Sequence, residues 1–218
     1  MKPTTKPAVD ALDHLLIGAP SLDEGIAWLA DRTGVRATLG GSHPGLGTWN
    51  ALASLGPRQY VEIIAPDPAQ PGISTFYVPR LREFKRPRVA TWAAAATKLV
   101  PESPPELTGL SCEPPRQGSR IRTDGTRLQW RLAFPRHADH DAFDGGLPFL
   151  IEWDSSSPHP GASTPSGLRL VSLSLRHPHA DVLRASLEAL GVDTRVDVGE
   201  AASLEVEIDS PRGRVTLT

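Results

Sequence analysis

The sequence has very little cysteine, and it lacks any long apolar run. One of its 218 residues is cysteine, so an internal disulfide and a cysteine-based structural zinc site are both excluded. This usage is typical of a reducing compartment, and we expect a cytoplasmic protein. The apolar run near the N-terminus is broken by Asp13 and His14, which makes it too short for a signal peptide core or a membrane span.

A surplus of basic charge is also missing. The 23 Lys and Arg residues face 25 Asp and Glu residues, for a net charge of -2, so nothing in the overall charge favours nucleic acid as a partner. With 39% hydrophobic and 22% charged residues, the composition is that of a folded globular protein. Eight of the 22 prolines lie at 101–115 and 158–165, and we interpret both stretches as linkers or long loops.

The region up to residue 65 follows the order β-α-β-β. An apolar run at 12–19 predicts a strand, and apolar residues at helical spacing predict a helix over 22–33. Ser21 followed by Glu24 is a capping-box pattern, and Gly34 supplies the C-terminal stop. Further strands are predicted at 35–39, 50–55 and 59–65.

The same order recurs twice more along the chain. Near the C-terminus the pattern predicts a strand at 170–175, a helix at 180–190, and two further strands at 204–209 and 214–217. A more degenerate unit between them has strands predicted at 89–96, 128–134 and 149–154. We therefore predict an α+β protein of tandem β-α-β-β-β units, with paired units at 8–155 and a third, partial unit at 166–218.

Ionisable residues stand in three of these otherwise apolar strands: His14, Glu62 and Glu152. A carboxylate is costly to bury without a compensating partner. Imidazole and carboxylate groups together suit a divalent ion such as Mn, Fe, Ni, Zn or Mg. The acids could equally lie at sheet edges or pair with arginine, and the pattern leaves both interpretations open.

Several segments carry a family resemblance. The tandem order, with LDHLLIG at 12–18 and YVEIIAPDP at 60–68, resembles the glyoxalase-like branch of the vicinal oxygen chelate superfamily. The other matching segments are HPGLGTWNAL at 43–52, DGTRLQWR at 124–131 and PFLIEW at 148–153, before His159 and Pro160. The resemblance spans nearly the whole chain, and the segment from His43 is its most specific part.

The resemblance implies paired units whose sheets curl into an open barrel around a divalent metal. A first-strand histidine and a last-strand glutamate from each unit are then the expected ligands. By position His14 and Glu62 match the first unit, and Glu152 matches the second. The first strand of the second unit, RVATWAA at 88–94, departs from the pattern because Trp92 stands where a histidine is expected. A three-ligand site would leave room for water and two substrate oxygens.

Further candidates flank this predicted site. His43, in a glycine-rich loop, could be a fourth ligand, a general acid or base, a substrate contact or a solvated side chain. Asn50 could bind a substrate carbonyl or cap a strand. Arg131 could bind a substrate carboxylate or pair with a buried acid, and Trp92 could line a substrate pocket. We interpret His137 and His140 as parts of a solvated loop, and His177 and His179 as a turn before a helix.

Together these features predict a metal-dependent enzyme of lyase, isomerase or dioxygenase type, acting on a small molecule with vicinal oxygens. Glu62 or Glu152 could leave the metal to act as the general base. The alternative is a metal-free binding protein of the drug-sequestering, bleomycin-resistance type, with a pocket lined by Trp92, Trp130 and Trp153. A homodimer is possible with either function.

Overall fold

The computed structural model describes residues 5–73, 81–99, 109–122 and 124–218. Its helices are α1 (Ala8–Ala11), α2 (Leu22–Thr33) and α3 (Ala180–Ala189). Its strands are β1 (Lys6–Pro7), β2 (Leu12–Gly18), β3 (Thr38–His43), β4 (Thr48–Gly56), β5 (Gln59–Pro66), β6 (Arg88–Ala95), β7 (Leu110–Cys112), β8 (Arg116–Ile121), β9 (Arg127–Ala133), β10 (Pro135–His137), β11 (Phe149–Trp153), β12 (Arg169–His177), β13 (Val192–Asp193), β14 (Arg195–Val198), β15 (Ser203–Ser210) and β16 (Gly213–Leu217). None of the helices in these segments is long and apolar enough to cross a membrane.

An eight-stranded mixed sheet joins the first two units in the order β3-β4-β5-β2-β6-β11-β9-β8. In each half the first strand runs parallel to the last one, β2 beside β5 and β6 beside β11. The two first strands pair antiparallel at the centre. The predicted α+β architecture of paired units is therefore confirmed, although the proline-rich connection predicted at 101–115 lies partly outside the described residues.

The sheet curls until its two edge strands, β3 and β8, come into contact. The side chain of Arg120 on β8 donates a hydrogen bond to the backbone carbonyl of Gly40 on β3. Because the edges approach each other, one face of the sheet becomes an inner surface and the other remains outside.

The outer face carries the main hydrophobic core. Leu15 and Ile17 of β2 and Val61 and Ile63 of β5 belong to this core, together with Trp92 of β6. The inner face holds a smaller apolar cluster formed by Leu16, Ile64, Leu81, Ala93, Phe149 and Ile151. Strand alternation thus assigns neighbouring residues of β2 and β5 to opposite sides of the sheet.

Helix α2 begins and ends where the sequence predicts. The hydroxyl oxygen of Ser21 accepts a hydrogen bond from the Glu24 backbone N–H at 3.3 Å, and Gly34 adopts the left-handed conformation with φ of 79°. The helix packs closely on β5 at Gly25, where an added Cβ would lie 2.3 Å from Cγ2 of Ile63. This close contact fixes the position of β5, the strand that carries Glu62.

The C-terminal unit repeats the predicted chain order but not the strand neighbours. Its sheet has the order β14-β12-β15-β16, so β12, the first strand, lies between β14 and β15. In the first unit, by contrast, the first strand lies beside the last one. The C-terminal sheet and α3 pack into the outer core through residues such as Leu173, Leu183 and Val206. No structural feature tests the boundaries at 155 and 166, which stay a prediction.

We expect Gly25→Ala to destabilise the protein by about 1–3 kcal/mol, because the added methyl group overlaps Ile63 in a packed core. Helix propensity alone predicts a gain of about 1 kcal/mol for the same change. The free energy of unfolding in urea distinguishes the two. Ala27→Gly, at an exposed position of α2, measures the propensity effect alone, and a Gly25→Ala variant more stable than wild type would refute the close contact.

Candidate functional site

A β-bulge at the start of β2 brings two polar residues into the interior of the sheet. Leu12 pairs with Ala94 of β6, and His14 pairs with the next residue, Ala93, so Asp13 is an extra residue in the strand. Leu12 packs in the outer core, whereas Asp13 and His14 both contact groups on the inner side. Because of this bulge, His14 does not share a face with Leu12, as residues two apart in a regular strand would.

His14 connects the carboxylates of Asp13 and Glu62. Its Nδ1 lies 2.8 Å from Oδ1 of Asp13, and its Nε2 lies 3.3 Å from Oε2 of Glu62. All three residues are buried. Because the Nδ1–H donates to Asp13, the Nε2 atom points at Glu62, and a proton can be exchanged between Nε2 and the Glu62 carboxylate.

Asp13 accepts hydrogen bonds from three side chains. Besides His14, the indole N–H of Trp153 donates to Oδ2 at 3.0 Å, and Nε2 of His159 lies 3.1 Å from the same oxygen. The Nδ1 of His159 accepts from the backbone N–H of Gly161, so its Nε2 carries the proton. Burial raises the pKa of Asp13, but the hydrogen bonds from His14 and His159 outweigh burial and hold this pKa below its usual value.

The second oxygen of Glu62 is held by Asn50. The side-chain amide of Asn50 donates to Oε1 of Glu62 at 2.6 Å, and its nitrogen lies 3.2 Å from Nε2 of His43. His43 in turn has its Nδ1 2.9 Å from the hydroxyl of Thr48. Since Nε2 of His43 accepts from the amide, its Nδ1 donates to Thr48, and both ring nitrogens are engaged.

His43 is accordingly a positioning residue behind Asn50. It ends β3 and is buried, whereas the sequence placed it in a glycine-rich loop. Burial lowers the pKa of His43, and the nearby Glu62 carboxylate opposes that effect only in part. A neutral His43 keeps Nε2 free to accept from Asn50.

Aromatic rings complete the surroundings of His14. The ring of Tyr60 stacks on the imidazole with centroids 4.6 Å apart, and Phe149 meets it edge-on at 5.4 Å. Burial, followed by the charge of Glu62, raises the pKa of the Tyr60 phenol well above its usual value. Farther along the same face, an apolar pocket is lined by Leu16, Ile64, Phe84, Phe134 and Phe149.

Glu152 does not join His14 and Glu62. On β11 the inner positions are Ile151 and Trp153, which leaves Glu152 on the other side of the strand. Its Oε2 accepts from the side chain of Arg131, directly across on β9, and from the backbone N–H of Leu99 at 2.6 Å. The ion pair considered from the sequence for Arg131 is thus the arrangement found.

Trp92 also lies on the outer face. It is fully buried in the main core, and its indole N–H donates to the carbonyl of Gly146 at 3.0 Å. Ala93, rather than Trp92, stands opposite His14. Trp92 therefore neither fills the fourth ligand position nor lines the inner surface.

The three-ligand metal site expected from the sequence does not fit this geometry. Within the described ranges, no three His, Cys, Asp or Glu side chains are grouped as ligands for a metal ion. His14 and Glu62 are adjacent, but Glu152 is on the other face, and the amide of Asn50 lies between His43 and Glu62.

A family model identifies the architecture around this site. The model described as glyoxalase-like domain matches residues 12–191. The chain belongs to the glyoxalase-like domain family. This match confirms the vicinal oxygen chelate resemblance seen in the sequence, and it covers both strands that carry His14 and Glu62.

Comparison with solved structures finds similarity over most of this glyoxalase-like chain. A hypothetical protein from Staphylococcus aureus has a TM-score of 0.66 at 14% identity, covering 88% of this chain and 87% of that one. Methylmalonyl-CoA epimerase from Mycobacterium tuberculosis has a TM-score of 0.40 at 18% identity, covering 68% and 90%. A 4-hydroxymandelate synthase variant from Streptomyces coelicolor has a TM-score of 0.48 at 15% identity, covering 99% and 62%. No curated protein matches the chain.

Three buried polar residues were missed as candidates: Asp13, His159 and Arg120. Asp13 and His159 stand in segments that carry the family resemblance, and their positions next to His14 and Pro160 were the available signal. Arg120 is only 4% exposed, although it lies in a polar segment whose pattern gave no such indication.

Four other histidines form a separate cluster between the second and third units. The rings of His140 and His179 stack with centroids 4.3 Å apart, and His137 stacks on His140 at 5.2 Å. His137 and His177 are buried, so the interpretation of His137 as part of a solvated loop is wrong. Burial, with the nearby charges of His179 and His140, lowers the pKa of His177.

Protein stability is expected to fall as the pH drops below about 6.5, the usual pKa of histidine. The unfolded chain then binds protons that the buried, neutral His43 and His177 do not bind when folded, because the pKa of each is lowered. Each group contributes at most about 1.4 kcal/mol per pH unit. Urea unfolding between pH 5 and 8 of the wild type and His43→Gln measures the effect, and an unchanged slope in the variant would contradict it.

Glu152→Gln is expected to leave the metal content of the protein unchanged, since Arg131 and Leu99 hold this carboxylate on the outer face. Elemental analysis after equilibration with Mn, Fe, Ni, Zn and Mg ions measures it, with Glu62→Gln as the matched variant on the inner face. If the wild type holds a stoichiometric ion that is lost in Glu152→Gln, the three-ligand site of His14, Glu62 and Glu152 would be supported after all.

Proposed function

We propose that this protein is an enzyme of isomerase or lyase type that moves a proton on a small oxygenated molecule. One observation carries the proposal: Nε2 of His14 faces the Glu62 carboxylate at 3.3 Å on the inner surface of the curled sheet. A buried histidine and carboxylate in contact are suited to general acid and base catalysis.

Each side chain then has a role. Glu62 is the base that removes a proton from a carbon next to a carbonyl group, and the electron pair moves onto the carbonyl oxygen as an enolate. His14 takes up the proton from Glu62 or returns one to the substrate. Asp13 stabilises the cationic form of His14 through the bond to Nδ1, as a carboxylate does behind a catalytic histidine.

Asn50 and His43 support this step without transferring a proton. The amide of Asn50 fixes Oε1 of Glu62, so that Oε2 stays beside His14. His43 and Thr48 hold the amide in that orientation. A base whose geometry is fixed before the substrate arrives needs less reorganisation during the reaction.

The inner surface also indicates which kind of substrate would fit. Its polar end contains His14 and Glu62, and the apolar pocket at Leu16, Ile64 and Phe149 continues from it along the same strands. A small molecule with a carbonyl group at one end and an apolar portion at the other matches this arrangement.

Metal-free binding without catalysis is the second candidate, and two pairs of aromatic rings on the inner face favour it. The rings of Trp130 and Trp153 lie 5.5 Å apart, and those of Phe134 and Phe149 lie 5.6 Å apart on the same face. Aromatic surfaces of this kind bind flat ligands by stacking. Such a protein would bind ligands without exchanging their protons.

Hydrogen–deuterium exchange distinguishes the two functions without knowledge of the product. A panel of small enolisable ketones, 2-oxo acids and thioesters is incubated with the protein in D2O, and loss of the α-proton signal is followed by NMR. We expect accelerated exchange for at least one compound and a decrease of about 10²–10⁴-fold in Glu62→Gln.

Glu152→Gln is the control for this assay, because its carboxylate is on the outer face and should leave the exchange rate unchanged. Equal rates in wild type and Glu62→Gln would overturn the proposed role of Glu62. Binding of panel compounds with no exchange above the rate in buffer would favour the second candidate.

A further inference from the structure

Arg120 is a buried arginine on the inner surface. On β8 it pairs with Leu128 of β9, and the two side chains are 4% and 0% exposed. Leu128 alternates with Trp130 and Leu132 of the inner cluster, so Arg120 points to the same side as His14 and Glu62. An arginine is rarely buried to this degree without a paired charge.

The described residues supply no such paired charge in direct contact. In those segments, no Asp or Glu oxygen lies within 4.0 Å of the Arg120 guanidinium, the distance limit for an ion pair. The guanidinium instead donates a hydrogen bond to the Gly40 carbonyl. A guanidinium carries five N–H donors. Burial lowers the pKa of Arg120, while the charge of Glu62, near but not in contact, opposes that change.

Arg120 lines a polar cavity between β3 and β8. The cavity is also lined by Thr38, Leu52, Arg122, Ser163 and Thr164. Arg122 is a second cation there, and its exposed partner Asp124 is 3.5 Å away. Two arginines and three hydroxyl groups form a site of the composition that binds carboxylate or phosphate oxygens.

The cavity shares neighbours with Glu62, the proposed base. Leu52, which lines it, pairs across the sheet with Glu62. Gly40, the partner of Arg120, lies against Asn50, because a Cβ at Gly40 would be 2.2 Å from the Asn50 side-chain oxygen. That oxygen is buried and has no hydrogen-bond partner in the described part of the chain. The cavity therefore adjoins β4, the strand next to the one that carries Glu62.

We propose that Arg120 and Arg122 bind an anionic group, a carboxylate or a phosphate, of the small molecule on which Glu62 acts. The inference rests on the proposed function for its substrate, but the anion site itself does not depend on proton transfer. Together, these two arginines favour the binding of acids over their neutral analogues.

The test compares matched probes by isothermal titration calorimetry. Pyruvate and methyl pyruvate differ in the negative charge of the carboxylate, and inorganic phosphate tests the other source of the same chemistry. We expect pyruvate, phosphate or both to bind the wild type at least about tenfold more tightly than methyl pyruvate does, and affinity to fall as salt is added.

Variants then assign the binding to the arginines. Arg120→Gln should lower the affinity for the anionic probe at least about tenfold, and Arg120→Lys should lower it less. Arg122→Gln should lower this affinity a few-fold. Arg122 is partly exposed, so its variant reports on the site if Arg120→Gln fails to fold. Equal affinity for pyruvate and methyl pyruvate, no measurable anion binding, or wild-type affinity in Arg122→Gln and any folded Arg120 variant would overturn the inference.

Glu62→Gln separates this inference from the proposed function. In that variant we expect anion binding to persist while hydrogen–deuterium exchange is lost. If the wild type binds anions through Arg120 but exchanges no proton, the proposed function fails and the anion site stands. If exchange depends on Glu62 but anion affinity does not depend on either arginine, the anion site fails and the proposed function stands.

Discussion

The burial of two carboxylates inside one curled sheet is the constraint on which the site depends. Asp13 and Glu62 can be buried there only because donors from other strands surround them. His14 reaches both acids, Trp153 and His159 bring donors from the second unit and the loop after it, and Asn50 brings one from β4. Each of these contacts requires the sheet to be assembled, so the polar site and the fold are stabilised together.

The two faces of the sheet divide the work between stability and chemistry. The outer face carries the continuous hydrophobic core, to which α2 and the C-terminal unit contribute. The inner face combines a smaller apolar cluster with the polar network and the Arg120 cavity. Because the outer core supplies most of the apolar burial, the inner face can hold polar groups that provide reactive atoms.

Local patterns predicted much of the architecture and part of the site. The capping residues of α2, the strands around His14 and Glu62 and the tandem order were all visible because they depend on neighbours in sequence. His14 and Glu62 stood out as ionisable residues in apolar strands. Asn50 stood out through its segment, and the structure places it against Glu62.

The rest required the tertiary structure, for identifiable reasons. A one-residue bulge brought Asp13 inside and changed the phase of β2, which no alternation pattern anticipates. Glu152 and Trp92 were assigned by position along their strands, but their facing was decided by register against β9 and β2. Arg120 became part of the site only when the sheet edges met. The sequence by itself determined the elements and their order, because hydrophobic periodicity and capping are local; only the tertiary structure decided which side chains meet, because register, bulges and closure depend on distant strands.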